Sequence, residues 1–304
     1  MPAFRRVSVV LAAAISIVAA DAARASERLP NGVLVDRNLV YSKAEVFDGR
    51  EKRDLLLDLY RPEEVDGKLP VIVWVHGGAW WAGSKTFCPA VWMVRRGYAV
   101  ASINYRLSQH APFPAQIHDC KASIRYLRSI ADKFALDSDR IGVWGASAGG
   151  HLVSLLGTSA DVSKTEAEGG HSDHSSRVQC VLNWFGPTDL IRLNGPDGAD
   201  IGGRNPITAL LGGEVDQKRD LAILADPITH VTKDDPPFLI MHGTADKLVP
   251  LEQSELLEAA LKKAKVEVEL HVVQGAGHGF WSADIKSRIE RFFDRHLRSI
   301  KAVE

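Results

Sequence analysis

The stretch "RIGVWGASAGGHL", Arg140–Leu152, decides the fold. Its apolar start leads directly into residues 145–149, GASAG, which match the pattern G-x-S-x-G around Ser147. A helix-like segment begins immediately afterwards. A strand, a tight turn with serine and a helix form a nucleophile elbow, which exposes a serine hydroxyl at the carboxyl edge of a parallel sheet. Because only three positions of the pattern are fixed, the alternative is a serine that caps an ordinary helix.

Strand-like and helix-like segments alternate along the rest of the chain. The patterns predict strands at 54–62, 69–78, 98–107, 140–147, 178–187, 237–246 and 266–275, and helices at 114–133, 148–157, 252–264 and 282–300. Several of these strands are apolar throughout, which is typical of strands buried on both faces of a parallel sheet. The sequence therefore predicts one α/β domain over 26–304, with a mainly parallel sheet and helices on both faces. Residues 188–236, with Gly, Pro and short helical pieces, are predicted to form a small cover that sets specificity.

The N-terminus has the pattern of a secretory signal peptide. Arg5 and Arg6 precede an apolar run over 7–20, and small residues stand at Ala23 and Ala25. This predicts a signal peptide over 1–25 with cleavage after Ala25, and export to the periplasm or the medium. The alternative is a permanent anchor, but the run is short for a membrane-spanning helix. We expect no stable membrane insertion after cleavage.

The net charge bears on the choice of partners, and the cysteine count bears on disulfide formation. The formal net charge is -1, with 37 Lys and Arg against 38 Asp and Glu and no long basic run, so nucleic acid is not an expected partner. The three cysteines leave at least one thiol free. Cys180 lies in an apolar run and is predicted to be a buried thiol, whereas Cys88 and Cys120 are a candidate disulfide pair.

A serine nucleophile needs a base, and two later loops offer one. "MHGTADKLVP" places Asp246 after a strand, and "QGAGHGF" places His278 in a glycine-rich loop after the next strand. The chain order Ser147, Asp246, His278 agrees with the order of α/β-hydrolase triads. His278 would take the serine proton, and Asp246 would orient the imidazole. Asp189, in "FGPTDL", is the alternative acid, and a surface histidine is the alternative role for His278.

Backbone donors for an oxyanion are predicted in "HGGAWW", His76–Trp81, at the end of strand 69–75. The N–H groups of Gly77 and Gly78, with that of Ala148 from the elbow, are assigned to the oxyanion hole. A plain glycine-rich turn is the alternative. His76 is expected to hydrogen-bond within the loop.

Aromatic side chains are candidate walls of the substrate pocket. Trp80, Trp81 and Trp184 stand next to the predicted site, and their faces suit sugar rings or aryl acyl groups, although packing roles are the alternative.

A polar loop holds His171, Asp173 and His174, which could ligate a metal, but a solvated loop is the favoured interpretation. No metal or organic cofactor is predicted.

These motifs together resemble the α/β-hydrolase superfamily over nearly the whole predicted mature chain. "HGGAW", "INYRL", "PFPAQIHD", "GASAGGHL", "DPPFLIMHGTAD" and "GAGHGF" stand in the family's order. The chain is similar to hormone-sensitive-lipase-like carboxylesterases, and within them to the bacterial group with feruloyl and acetyl-xylan esterases. The resemblance implies the same triad and oxyanion residues. HGGAW in place of HGGG, and a short mature N-terminus, argue against a lipase-like lid and long acyl chains.

The expected function is hydrolysis of short-acyl or hydroxycinnamoyl esters, carried on a small molecule or a polysaccharide, through an acyl-enzyme on Ser147. The first alternative is an arylformamidase, which shares an HGGxW loop and the same triad order. A prolyl-oligopeptidase-type peptidase is disfavoured because no propeller precedes the hydrolase. A non-catalytic binding protein with a degenerate hydrolase fold is disfavoured because no triad member is missing. The sequence leaves the oligomeric state open.

Overall fold

A single twisted sheet forms the centre of the protein. The computed structural model describes residues 26–160, 162–166, 170–194 and 200–298. Within them the sheet contains nine strands: β1 (Glu27–Leu29), β2 (Val33–Val46), β3 (Glu51–Pro62), β4 (Leu69–Val75), β5 (Ala99–Ile103), β6 (Leu136–Ala146), β7 (Cys180–Trp184), β8 (Phe238–Gly243) and β9 (Val268–Val273).

The strand order is β1-β2-β3-β5-β4-β6-β7-β8-β9. Pairing is antiparallel from β1 to β5 and parallel from β5 to β9. The carboxyl ends of β4, β6, β7, β8 and β9 therefore meet at one edge, where open α/β sheets bind ligands. The predicted mainly parallel sheet is confirmed.

Helices cover both faces of the sheet. They are α1 (Ala115–Ser129), α2 (Ala148–Thr158), α3 (Ser163–Glu166), α4 (Leu190–Leu193), α5 (Pro206–Leu211), α6 (Arg219–Ala225), α7 (Glu252–Ala264) and α8 (Ala283–Leu297), with 3-10 segments at Val91–Arg96, Asp132–Phe134 and Pro227–Thr229. In β4, Val71, Val73 and Val75 join the core under α1, α2 and α7. Ile72 and Trp74 of the same strand join a second core under α8. This alternation explains why β4 is apolar at every position.

The N-terminal pair β1 and β2 was not predicted. Pairing of β2 with β3 shifts register between Asp36 and Leu39 and again between Val40 and Ser42. Asn38 lies between these strand positions with a φ of 58°. Such bulges break the two-residue alternation of apolar and polar side chains, which is the sequence signal for a strand.

The predicted Cys88–Cys120 disulfide is wrong, because both thiols are free. Cys120 lies in the core under α1, whereas Cys88 packs against the core on the other face of the sheet. The sheet between them keeps the two sulfurs apart. Cys180 is a buried free thiol, as predicted.

The predicted signal peptide over 1–25 lies outside the described residues. Among the residues that are described, no helix is both long enough and apolar enough to span a bilayer.

Candidate active site

The nucleophile elbow forms between β6 and α2. Ser147 has a φ of 55° and a ψ of -122°, a conformation that side-chain-bearing residues rarely adopt. Its N–H donates to the carbonyl of Trp184 at 2.8 Å, which ties the elbow to the end of β7. Backbone strain of this kind persists only where the surroundings impose it, and it is common at functional sites.

Two glycines make this tight turn sterically feasible. A Cβ on Gly145 would lie 2.2 Å from the carbonyl oxygen of Gly149. A Cβ on Gly149 would lie 2.1 Å from the carbonyl oxygen of Val75 in β4. The small residues around Ser147 are therefore a packing requirement of the elbow.

The structure brings the three predicted triad residues together. Nε2 of His278 lies 2.9 Å from Oγ of Ser147, and Nδ1 of His278 lies 2.6 Å from Oδ2 of Asp246. With Nδ1 donating to the carboxylate, Nε2 is free to accept the serine proton. The arrangement is that of a nucleophile, its base and an orienting acid.

Asp246 is held as a carboxylate. Burial alone would raise its pKa, but hydrogen bonds from His242, His278 and the N–H of Val249 outweigh burial and hold the pKa well below its usual range. Oδ1 also accepts from the N–H groups of Leu248 and Val249, at 2.9 and 3.0 Å. The negative charge needed to stabilise an imidazolium is therefore present at neutral pH.

The alternative acid, Asp189, has a different role. Its Oδ1 accepts from the N–H of Arg192 at 2.8 Å and caps the start of α4.

His242 contacts the triad carboxylate of Asp246, which the sequence analysis did not predict. It is fully buried, and its Nε2 lies 2.8 Å from the carbonyl of Val249 and 3.3 Å from Oδ2 of Asp246. Its Nδ1 lies 2.6 Å from Oγ of Ser254. Because a carbonyl and a carboxylate only accept, Nε2 carries the proton and Nδ1 accepts from the serine. These partners fix the ring of His242 in one orientation, with the proton on Nε2 directed towards the carbonyl of Val249 and the carboxylate of Asp246.

The predicted oxyanion loop lies beside the nucleophile. Gly77, Gly78 and Ala148 line one cavity together with Ser147 and His278. The carbonyl of Gly78 accepts from the N–H groups of Trp81 and Ala82 at 3.1 and 2.9 Å, and so closes the turn. The predicted oxyanion residues and the nucleophile thus face one shared space.

His76 hydrogen-bonds within the loop, as expected. Its Nδ1 donates to the carbonyl of Gly77 at 2.8 Å, and its ring stacks on Tyr105 with centroids 4.4 Å apart. Burial lowers the pKa of His76 to about 4, so the ring is neutral at pH 7.

Trp80 is an anchor of the oxyanion loop. Its ring is 2% exposed, and its Nε1 donates to Nδ1 of His151 at 3.1 Å. Nε2 of His151 in turn donates to the carbonyl of Ala225, at the end of α6, at 2.7 Å. Burial lowers the pKa of His151 to about 4. This neutral histidine, which the sequence analysis missed, connects the oxyanion loop to the segment 188–236.

The cavity at Ser147 has a volume of about 310 Å³ and mostly apolar walls. Trp81 forms part of its wall. Leu193, Ile201 and Pro206, from the described part of the segment 188–236, form another part.

Trp184 does not line this cavity. It is buried, its ring lies 4.9 Å from that of Trp144, and its Nε1 lies 3.2 Å from Sδ of Met241. It lines a neighbouring cavity instead.

The polar loop that could have ligated a metal contains His174 and Asp173 at 3.7 Å, while the ring of His171 packs against Tyr126. Across the part of the chain that is described, no cluster of three or more His, Cys, Asp or Glu side chains is placed to hold a metal ion.

The sheet order and the elbow between β6 and α2 define an α/β-hydrolase. More particularly, the chain belongs to the BD-FAE family, whose model matches residues 57–261. It is 32% identical over 266 residues to Esterase LipC of Mycobacterium tuberculosis, covering 84% of this chain and 64% of LipC. The resemblance to carboxylesterases of this superfamily is confirmed.

Solved structures agree with this assignment. A truncated form of a carbohydrate esterase from gut microbiota superimposes with a TM-score of 0.78 at 32% identity, over 87% of this chain and 96% of that one. An acetyl ester-xyloside bifunctional hydrolase from Caldicellulosiruptor lactoaceticus gives a TM-score of 0.68 at 28% identity, over 84% and 91%. The chain spans 64% of the length of LipC, and 52% and 61% of the length of two further relatives from Mycobacterium tuberculosis, LipM and LipQ.

Proposed function

We propose that this protein is a serine carboxylesterase that removes short acyl groups from carbohydrates. The observation that carries the proposal is the chain of contacts from Ser147 through His278 to Asp246, at 2.9 and 2.6 Å, at the mouth of an apolar cavity. A positioned nucleophile, an adjacent base and a buried carboxylate are the components of acyl transfer.

Acylation begins when Oγ of Ser147 attacks the ester carbonyl carbon and passes its proton to Nε2 of His278. The carbonyl π electrons move onto oxygen, and the N–H groups of Gly77, Gly78 and Ala148 stabilise that oxyanion. Loss of one such donor typically costs about 3–4 kcal/mol of transition-state stabilisation. The intermediate then collapses, the bond to the alcohol oxygen breaks, and His278 returns the proton to the departing alcohol.

Deacylation repeats these steps with water as the nucleophile. His278 takes a proton from the water as its oxygen attacks the acyl carbon of the ester on Ser147. Collapse of the second intermediate breaks the bond to Oγ, which recovers the proton from His278, and releases the carboxylic acid. The buried carboxylate of Asp246 stabilises the imidazolium in both halves of the reaction.

The size of the cavity favours a short acyl group. A volume of about 310 Å³ is near the lower end of ligand pockets, which span roughly 300–1,000 Å³. Pro206 and Leu248 are among the apolar residues in its wall. An acetyl group fits within such a space.

A carbohydrate is proposed as the alcohol. Two structural relatives are named as a carbohydrate esterase and an acetyl ester-xyloside hydrolase. The signal-peptide pattern over 1–25 supports work outside the cytoplasm, where polysaccharides are encountered. Sequencing the N-terminus of the exported protein would test this location, with a start at Ser26 expected and an intact N-terminus contradicting cleavage.

The decisive assay compares three substrates at equal concentration. We expect the highest kcat/KM for an acetylated xyloside, a lower value for the corresponding feruloyl ester, and no turnover of N-formylkynurenine. Preference for N-formylkynurenine would make the protein an arylformamidase. Activity on none of these, together with no labelling by a fluorophosphonate, would indicate a non-catalytic binding protein.

A further inference from the structure

A second cavity of about 480 Å³ opens beside the one that contains Ser147. The two cavities share Gly77, Ala146 and Phe185 in their walls. The second cavity lies towards the core under α8, because Trp74 and Trp184 of that core form its inner wall. The first lies towards the opposite core, to which Trp80, Ala148 and Leu193 belong. The two spaces therefore lie on opposite sides of the sheet edge, and they meet at the shared residues, of which Ala146 is the chain neighbour of Ser147.

Exposed aromatic side chains form the rim of this second cavity. Phe87 is 73% exposed and Trp281 is 52% exposed, and both line it. Large apolar side chains in water commonly mark a binding surface when they cluster. The ring of Trp281 lies 5.9 Å from that of Trp184, so the exposed aromatic surface continues into the buried wall.

The backbone beneath Phe87 is fixed. Nε1 of Trp74 donates to the carbonyl of Phe87 at 2.9 Å. Nearby, the buried ammonium of Lys85 lies 2.7 Å from Oδ1 of Asp58, and Oγ of Ser102 donates to the carbonyl of Lys85 at 2.8 Å. A rigid loop that presents an exposed ring loses little conformational entropy when a ligand stacks on it.

The walls carry no charge at neutral pH. None of the described residues that line this cavity is Asp, Glu, Lys or Arg. His76 is the ionisable side chain in the wall, and burial lowers its pKa to about 4. The ligand that matches these walls is neutral and has a flat apolar face.

We propose that this second cavity is the alcohol-side subsite, and that it binds the pyranose ring of an acylated sugar against Phe87 and Trp281. The inference rests on the proposed function, because an ester held at Ser147 extends its acyl group to one side and its alcohol to the other. A pyranose stacks its C–H face on aromatic rings and keeps its hydroxyl groups in water at an open rim. The acyl group then occupies the smaller cavity, whose wall includes Leu193, Ile201 and Pro206.

The test measures selectivity between two acetates. We compare kcat/KM for an acetylated methyl xyloside with kcat/KM for ethyl acetate, whose alcohol is too small to reach the rim. Phe87→Ala and Trp281→Ala should each lower this ratio about tenfold. Val40→Ala is the matched control, since Val40 is an exposed apolar residue on β2, outside both cavities, and should leave the ratio unchanged.

Three results would overturn the proposal. The first is a constant ratio in both variants. The second is a loss of activity on aryl acetates with no loss on the sugar ester, which would make the ligand an aryl alcohol. The third is a changed preference between the acetate and the butyrate of one alcohol, which would place the acyl group in this cavity. Failure of the proposed function itself is a separate outcome, in which the wild-type protein hydrolyses neither acetate.

Discussion

Nε2 of His242 lies 3.3 Å from Oδ2 of Asp246, the same oxygen that Nδ1 of His278 contacts at 2.6 Å. The triad carboxylate is therefore held by two histidines, one of which faces Ser147 while the other is buried behind it. The buried histidine contacts no substrate cavity, so its effect on the reaction passes through the position and charge of Asp246.

His242→Leu should lower kcat by about 10- to 100-fold and change KM little, because the carboxylate loses one of its donors and the orientation of His278 relaxes. Steady-state kinetics on a short acyl ester would show whether kcat falls while KM stays nearly constant. Ser254→Ala, which removes the hydrogen bond to Nδ1 of His242, should have a smaller effect in the same direction. A wild-type kcat in His242→Leu would contradict the role assigned to His242.

Trp80→Phe should destabilise the protein and slow the reaction. The substitution leaves Nδ1 of the buried His151 without its donor, at a cost of about 1–3 kcal/mol, and loosens the loop that carries Gly77 and Gly78. Urea unfolding and kcat measure the two effects. Trp92→Phe is the control, because Nε1 of Trp92 has no hydrogen-bond partner among the described residues. Equal losses in both variants would argue against the His151 contact as the cause.

Asp226→Asn should stabilise the protein increasingly as the pH rises. Burial raises the pKa of Asp226 to about 8, the N–H of Leu190 opposes this, and the nearby charge of Asp189 adds to it. Below about pH 4 the Asp226 carboxyl is protonated in both the folded and the unfolded state, so its ionisation takes nothing from the free energy of unfolding. Between pH 4 and 8 the unfolded chain ionises first, so the wild-type protein loses stability while an asparagine does not.

The measurement for Asp226 is the free energy of unfolding at pH 4.5 and pH 8, with the gain from asparagine larger at pH 8. Asp216→Asn, at an exposed position in the same segment, is the control and should show no such increase. A gain that is constant across this range would show that Asp226 does not keep its proton in the folded state.

Leu193→Ala should widen the acyl preference. Leu193 lies on α4 and lines the Ser147 cavity, so truncation extends the space available to the acyl group. We expect kcat/KM for butyrate to rise about tenfold relative to acetate, since a methylene in an apolar pocket contributes roughly 1–3 kcal/mol. Leu190→Ala, on the same helix but outside the lining, should destabilise without moving the preference. An unchanged preference in Leu193→Ala would place the acyl group elsewhere.

Local sequence patterns predicted those parts of the fold that depend on neighbouring residues. The helix over 252–264 matches α7 (Glu252–Ala264) in both bounds, because its apolar side chains recur at helical spacing. The elbow was also predictable, since its glycines and its flanking strand and helix are contiguous. By contrast, β2 was missed because its bulges disrupt the alternation.

Contacts between distant segments were not predictable in this way. His242 and His151 stand at positions that resemble ordinary core residues, and their partners Asp246 and Ala225 become evident only in three dimensions. The prediction of a disulfide was wrong for the same reason, because the sequence does not show that the sheet separates Cys88 from Cys120. Trp184 was predicted beside the substrate, and only the structure shows that its packing on Trp144 places it in the wall of the second cavity and not in that of the Ser147 cavity.

The most direct test of the account is covalent labelling of the nucleophile. We predict that a fluorophosphonate reacts once per chain, that peptide mass spectrometry locates the adduct on Ser147, and that Ser147→Ala abolishes both labelling and ester hydrolysis, with a loss of at least about 10⁴-fold. Label on another residue, or hydrolysis retained in Ser147→Ala, would contradict the claim that Ser147 is the nucleophile.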